Sequence, residues 1–128
     1  MLDASKAYSG FAVTDTQQAK QFYGDTLGLD IGDLDVGAPV PLLELRLGDQ
    51  NVLIYPKPDL EPANYTILNF PVDDIDAAVD ELASKGVIFE RYDGFDQDEK
   101  GIDRSGPAGG IAWFTDPAGN ILSVHGQM

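Results

Sequence analysis

The sequence predicts an α+β fold of two βαβββ modules in one chain. The modules would form a curved mixed sheet with an internal cleft and the helices on its outer face. Three observations predict it: a strand–helix–strand pattern occurs twice, aspartate leads and glycine stops each helix, and short apolar strands follow each helix. FAVTDTQQAKQFYGDTLGL begins near residue 11 and FPVDDIDAAVDELASKGVIF begins at residue 70. Laying Asp15 on Asp74, an offset of 59, matches Val13 with Val72, Ala19 with Ala78 and Leu29 with Ile88. Either half alone is too small to close a core well, so the two are expected to build one sheet together.

In chain order, the first helix carries the stripe Ala19, Phe22, Tyr23 and Leu27 and ends at Gly28. Strands follow at 29–35, 41–47 and 50–56, the last two joined by the tight turn Gly48-Asp49. KPDLEPAN (57–64) is polar with two prolines and reads as the linker. Module one is thus expected over about 5–57 and module two over about 65–127, with 58–64 between them. In module two, Ile75, Ala78, Val79, Leu82 and Ala83 form one helical face. Asp73 or Asp74 can cap its amides, and Gly86 suits its left-handed end. VIFERY (87–92), GIAWFTD (110–116) and NILSVHG (120–126) then read as strands, with Pro117-Ala118-Gly119 as the turn between the last two.

Composition restricts function. The 128 residues suit one domain, and 8 basic against 22 acidic residues give a net charge of −14. Such a field repels nucleic acid and anionic lipid and favours a cationic or neutral ligand. With no cysteine there is no disulfide framework or thiolate site, which fits a cytoplasmic protein. MLDASKAYSG has no long apolar stretch and does not read as a signal peptide, and the longest apolar runs are too short to span a membrane.

Two motifs, VTDTQQAKQFYGDTLGL (13–29) and AWFTDPAGNILSV (112–124), resemble the glyoxalase/bleomycin-resistance/dioxygenase superfamily, also called vicinal oxygen chelate. The resemblance implies paired βαβββ modules around a U-shaped cleft, and it implies homodimers in many relatives. Metal-dependent members take four ligands from His, Gln and Glu, one on the first and one on the last strand of each module. Here those positions read Tyr8, Leu53, Ile67 and Ser123; shifted by one they read Ser9, Ile54, Thr66 and Val124. Neither set suits a divalent transition metal. The chain has a single histidine, and DQDEKGID (96–103) lacks the spacing of a calcium loop and reads as a solvated loop. The expectation is therefore no metal and no cofactor.

Strand alternation puts Tyr8, Gly10 and Ala12, then Leu53 and Tyr55, then Ile67, Asn69 and Pro71, and finally Ile121, Ser123 and His125 on the cleft face. Tyr8 is either a plug for the space a metal would fill or a ligand contact. Tyr55 reads as a rim position. Asn69, an amide inside ILNFPV, serves either recognition or internal hydrogen bonding. Ser123 reads first as structural. His125 is a rim histidine or a general base without an identified partner. Trp113 either stacks on a flat ligand or fills core. Module two is longer by 11 residues, placed within 92–110 as a lid or flap, where Phe95 and Arg104 are best able to reach a ligand.

These residues predict a protein that lacks the superfamily's metal ligands and binds a small organic molecule in the cleft, either as a binding protein or as an enzyme of unidentified substrate, and they argue against the metal-dependent lyase, epimerase or dioxygenase reaction. The alternatives are a bleomycin-type antibiotic-binding resistance protein and a partner-binding module.

Overall fold

The structure is a computed structural model that describes residues 1–106 and 109–126. The chain divides into two compact units, one from Met1 to Glu61 and one from Pro62 onward.

In the first unit a short 3₁₀ turn, Ala4–Lys6, precedes strand β1 (Ser9–Val13), helix α1 (Thr16–Gln21), and strands β2 (Asp30–Leu34), β3 (Leu42–Leu47) and β4 (Gln50–Pro56). The sheet order is β1-β4-β3-β2; β1 runs parallel to β4, and the other pairs are antiparallel. Leu47 pairs with Gln50, so Gly48-Asp49 is the expected two-residue hairpin turn. Asp15 caps α1 by accepting from the amides of Gln17 and Gln18 at 2.9 and 3.2 Å.

The α-helix is shorter than its apolar stripe suggests. From Phe22 to Thr26 the chain widens into a π-turn, closed by Leu27 N–H donating to Phe22 O at 2.9 Å. Tyr23 is fully buried there, its ring 5.8 Å from Phe11 and 5.2 Å from Phe22. The β3 sequence Leu-Leu-Glu-Leu-Arg-Leu alternates, and Leu43 and Leu45 are buried together with Val13, Val52 and Ile54. Each such side chain contributes about 1.5–3 kcal/mol on burial. The leucine side of β3 therefore decides which face packs, and Glu44 and Arg46 occupy the other.

The second unit has β5 (Thr66–Pro71), α2 (Ile75–Ser84), β6 (Ile111–Thr115) and β7 (Ile121–His125). Its sheet order is β5-β7-β6, with β5 parallel and β6 antiparallel to β7. Asp74 caps α2 by accepting from Ala77 N–H at 3.1 Å, and Gly86 ends the helix region at φ +93°. Replacing this cap is expected to be costly: Asp74→Ala should destabilise the protein by about 1 kcal/mol, measured by urea denaturation. An unchanged midpoint would remove the capping role. Ile75 and Val79 are buried and Ala83 is exposed, so the apolar stripe of α2 is narrower than its periodicity implies.

One expected strand is missing. Residues 87–92 make only an isolated bridge between Phe89 and Phe114, supported by Glu90 N–H donating to Trp113 O at 2.7 Å. Module two is thus βα, a bridge, then two strands. Asp93 and Gly94 follow at once, and the chain turns away before a ladder can extend. The Asp-Pro-Ala-Gly-Asn motif proves to be turn chemistry. Asp116 accepts from the amides of Ala118 and Asn120 at 2.9 Å and from Asn120 Nδ2 at 3.0 Å.

The insertion is neither a free flap nor a fully solvated loop. Asp98 accepts from the amides of Lys100 and Ile102, both at 2.9 Å. Gln97 spans the loop, accepting from Tyr92 N–H at 2.8 Å and donating to Glu90 O and Gly101 O at 2.9 and 2.8 Å. Ile102 is 1% exposed, and Asp103 bridges to Ile111. Gly110 lies above Ile102 at φ +118°, where an added Cβ would stand 3.1 Å from Ile102 Cγ2, so only glycine fits without strain. Lys100 reaches Asp76 and Asp80 at 3.3 and 3.0 Å, and Arg104 reaches Asp76 and Asp98 at 2.8 and 3.2 Å. Residues 107 and 108 of the insertion lie outside the described residues.

Candidate functional site

Each sheet packs its helix on one face, and the candidate residues are best placed by strand register. In module one, Gly10, Leu53, Glu44 and Gly32 are successive neighbours across β1, β4, β3 and β2. Leu53 is half-buried on the face opposite Val52 and Ile54. Tyr55 pairs with Ala12 and is 40% exposed, which fits a rim position. Tyr8 lies just before β1 and is 71% exposed, so it plugs nothing within its own module.

A groove of about 800 Å³ runs over this region, with Lys6, Tyr8, Glu44, Asp49, Asn51 and Leu53 among its lining residues. Glu44 is the feature that the ligand-position reading missed, although the β3 alternation carries its signal. Its carboxylate forms an ion pair with Arg46, Oε1 lying 3.2 Å from Nε, and Arg46 Nη1 donates to Asp30 at 2.8 Å. The guanidinium lies over Gly32, where a Cβ would come within 3.1 Å of Nη2.

In module two, Asn69 pairs with Ser123, and Ser123 pairs with Trp113. These three therefore form one row on one face. Ser123 is fully buried, and its hydroxyl donates to Asn69 Oδ1 at 2.6 Å. Register also decides the position of Trp113. Ala112 and Phe114 pair with Val124 and Leu122 on the opposite face, and Trp113, itself buried, shares the Ser123 face. Its ring lies 5.6 Å from Tyr92 and 4.9 Å from Phe95. Burial, followed by the Glu90 charge, raises the Tyr92 phenol above its ordinary value, so it stays neutral. The Tyr92/Phe95 spacing just before the tryptophan strand is the sequence signal for this cluster.

Three expectations need correction. Strict alternation along β5 fails because the register shifts between Thr66 and Leu68: Thr66 pairs with Ile121, Leu68 pairs with Leu122, and Ile67 has no partner on β7. His125 is not a rim residue. It is 8% exposed, and its Nδ1 lies 2.6 Å from Gly126 O. A carbonyl only accepts, so this contact makes Nδ1 the donor. Arg104, expected to reach a ligand, is engaged by Asp76 and Asp98 instead.

Fold and register thus define an α+β protein of two related modules whose helix-free faces carry polar and aromatic side chains. The chain belongs to the Glyoxalase/Bleomycin resistance protein/Dioxygenase superfamily, whose family model matches residues 7–124. No curated protein matches the chain. Among solved structures it is similar to TnmS3, an antibiotic binding protein from Streptomyces sp. CB03234, at 24% identity and TM-score 0.69, covering 99% of this chain and 100% of that one. A glyoxalase/bleomycin resistance protein from the same organism matches at 26% identity and TM-score 0.63, covering 93% and 99%. The fosfomycin resistance protein FosX from Listeria monocytogenes matches at 12% identity and TM-score 0.66, covering 100% and 94%. Among the described residues no helix is long and apolar enough to cross a membrane.

Proposed function

We propose that this chain binds a small organic molecule on the helix-free faces of its sheets without a metal ion. The observation that carries the reading is the donor set at the superfamily's four ligand positions. Leu53 and Ile67 have no donor atom, and Tyr8 is an exposed phenol. The Ser123 hydroxyl is neutral and already donates to Asn69. Such a set does not fit Zn²⁺, Ni²⁺, Mn²⁺ or Fe²⁺, which require imidazole, carboxylate or thiolate ligands. Among the described residues no group of three or more His, Cys, Asp or Glu could hold a metal.

Each module's helix-free face is proposed as a lining by itself: Tyr8, Leu53 and Tyr55 in module one, and Ile67, Asn69, Trp113, Ser123 and His125 in module two. Apolar walls with a few directed polar groups are the usual make-up of a small-molecule site. The likeness to an antibiotic binding protein supports a second, narrower reading, in which the bound molecule is an antibiotic held out of action.

Metal analysis of purified protein, followed by thermal-shift screening of small organic compounds, tests the first reading. The expected result is metal content well below one per chain and stabilisation by at least one organic ligand class. Stoichiometric Zn, Ni, Mn or Fe would overturn it.

A further inference from the structure

We propose that the helix-free face of module two recognises a flat conjugated ring bearing a hydrogen-bond acceptor at its edge. This rests on the small-molecule reading above and names the ligand's chemistry at one part of that surface.

The argument starts from the row Asn69, Ser123, Trp113, which crosses β5, β7 and β6 in consecutive register. Two strand spacings put the ends of the row about 10 Å apart; Ser123 at 0% and Trp113 at 9% exposure are its buried part, and Asn69 and Phe95 are the groups that reach solvent. At one end, buried Ser123 donates its hydroxyl to Asn69 Oδ1 at 2.6 Å. That bond orients the carboxamide: Oδ1 is committed to β7, and Nδ2 is the group left to donate. Asn69 is exposed, and among the described residues its Nδ2 has no hydrogen-bond partner. An amide N–H only donates, so it selects a carbonyl, ether or ring-nitrogen acceptor and offers nothing to an ammonium group.

At the other end, Trp113 is held edge-on to Tyr92 and tilted against Phe95. Phe95 remains 52% exposed although its loop is tied by Gln97 to three backbone groups. An exposed aromatic ring on an ordered loop is a preorganised surface, because little side-chain or loop entropy is lost when a second ring covers it. The general expectation of a cationic ligand, drawn from net charge, thus gives way here to a neutral acceptor beside an aromatic wall.

The test uses the full chain, labelled with ¹⁵N, and three probes. Chromone has a flat ring and a carbonyl, 1-naphthylmethylamine has a flat ring and an ammonium group, and hexylamine has an ammonium group alone. Trp113 is the only tryptophan, so a single indole N–H resonance reports one end of the row and the Asn69 side-chain amide reports the other. Chromone should shift both resonances saturably, and hexylamine should shift neither. Asn69→Leu should weaken chromone binding roughly tenfold, the loss of one hydrogen bond. Asn69→Asp should reverse the preference in favour of 1-naphthylmethylamine. Phe95→Ala should weaken both ring probes. The inference is overturned if chromone shifts these resonances no more than hexylamine does, or if Asn69→Asp leaves the preference unchanged. Binding of other compounds elsewhere on the protein would then leave the small-molecule reading intact, whereas failure of the whole thermal-shift screen would remove both.

Discussion

Phe114→Ala should destabilise the protein by about 3–5 kcal/mol, the range for deleting a buried aromatic side chain and leaving a cavity. Phe114 is 1% exposed in the middle of β6, and its ring lies 5.7 Å from that of Phe89. The Phe89 bridge is the only ladder contact made by the segment expected to be a full strand, among the described residues. That segment is therefore held by side-chain packing more than by backbone pairing, and removing the ring takes away its anchor. Urea denaturation followed by Trp113 emission reads the effect where it arises. Phe114→Leu, which keeps most of the volume, should recover the larger part of the loss. A loss under about 1 kcal/mol for the alanine variant would show that the site collapses freely and that Phe89 is anchored elsewhere.

Structure is legible in this sequence where one period and one neighbour suffice. Asp15 and Asp74 each precede a helix and cap it, and both the Gly48-Asp49 hairpin and the Asp116–Asn120 turn are set by local chemistry. Alternation in β3 separates Leu43 and Leu45 from Glu44 and Arg46 without any tertiary information. Structure is not legible where partners are distant. Nothing local marks the register shift at Ile67, because a bulge is a property of two strands together. His125 looked like a rim residue because it is near the end of the sequence, yet its burial follows from being the last paired residue of the central strand β7. The candidate row across module two was half legible. Asn69 and Ser123 each stand out in the sequence, but their mutual hydrogen bond spans 54 positions and depends on the register. Trp113 joined them for the same reason.

The insertion shows the same limit most sharply, and it carries the second large expected effect. Acid should release residues 96–104 before the rest of module two unfolds. Arg104, hydrogen-bonded to Asp76, is the chief cause holding that carboxyl below its ordinary value of 3.8. Burial alone would raise Asp98, but the amides of Ile102 and Lys100 and the Arg104 guanidinium outweigh it and leave its value lowered. Asp103 is lowered chiefly by the Ser105 hydroxyl. For carboxyls lowered on folding, the unfolded loop binds more protons, so their stabilisation is fully present above 3.8 and fades as pH falls through the lowered values beneath it. The cations behave in the opposite sense. Lys100 and Arg104 are raised, chiefly by Asp80 and Asp76 respectively, so their share persists until strongly alkaline pH. The exposed ion pairs contribute little singly; the two amides held by Asp98 are the stronger tie. Asp98→Ala at neutral pH should therefore mimic acid, speeding hydrogen exchange at Ile102 and Lys100 by roughly tenfold or more while β7 amides keep their protection. Because the same loop sets Phe95 against Trp113, tryptophan emission should shift in step with that exchange. Equal acceleration at the β7 amides would instead mean that Asp98 supports the whole module, and no acceleration at Ile102 would mean that its burial alone holds the insertion down.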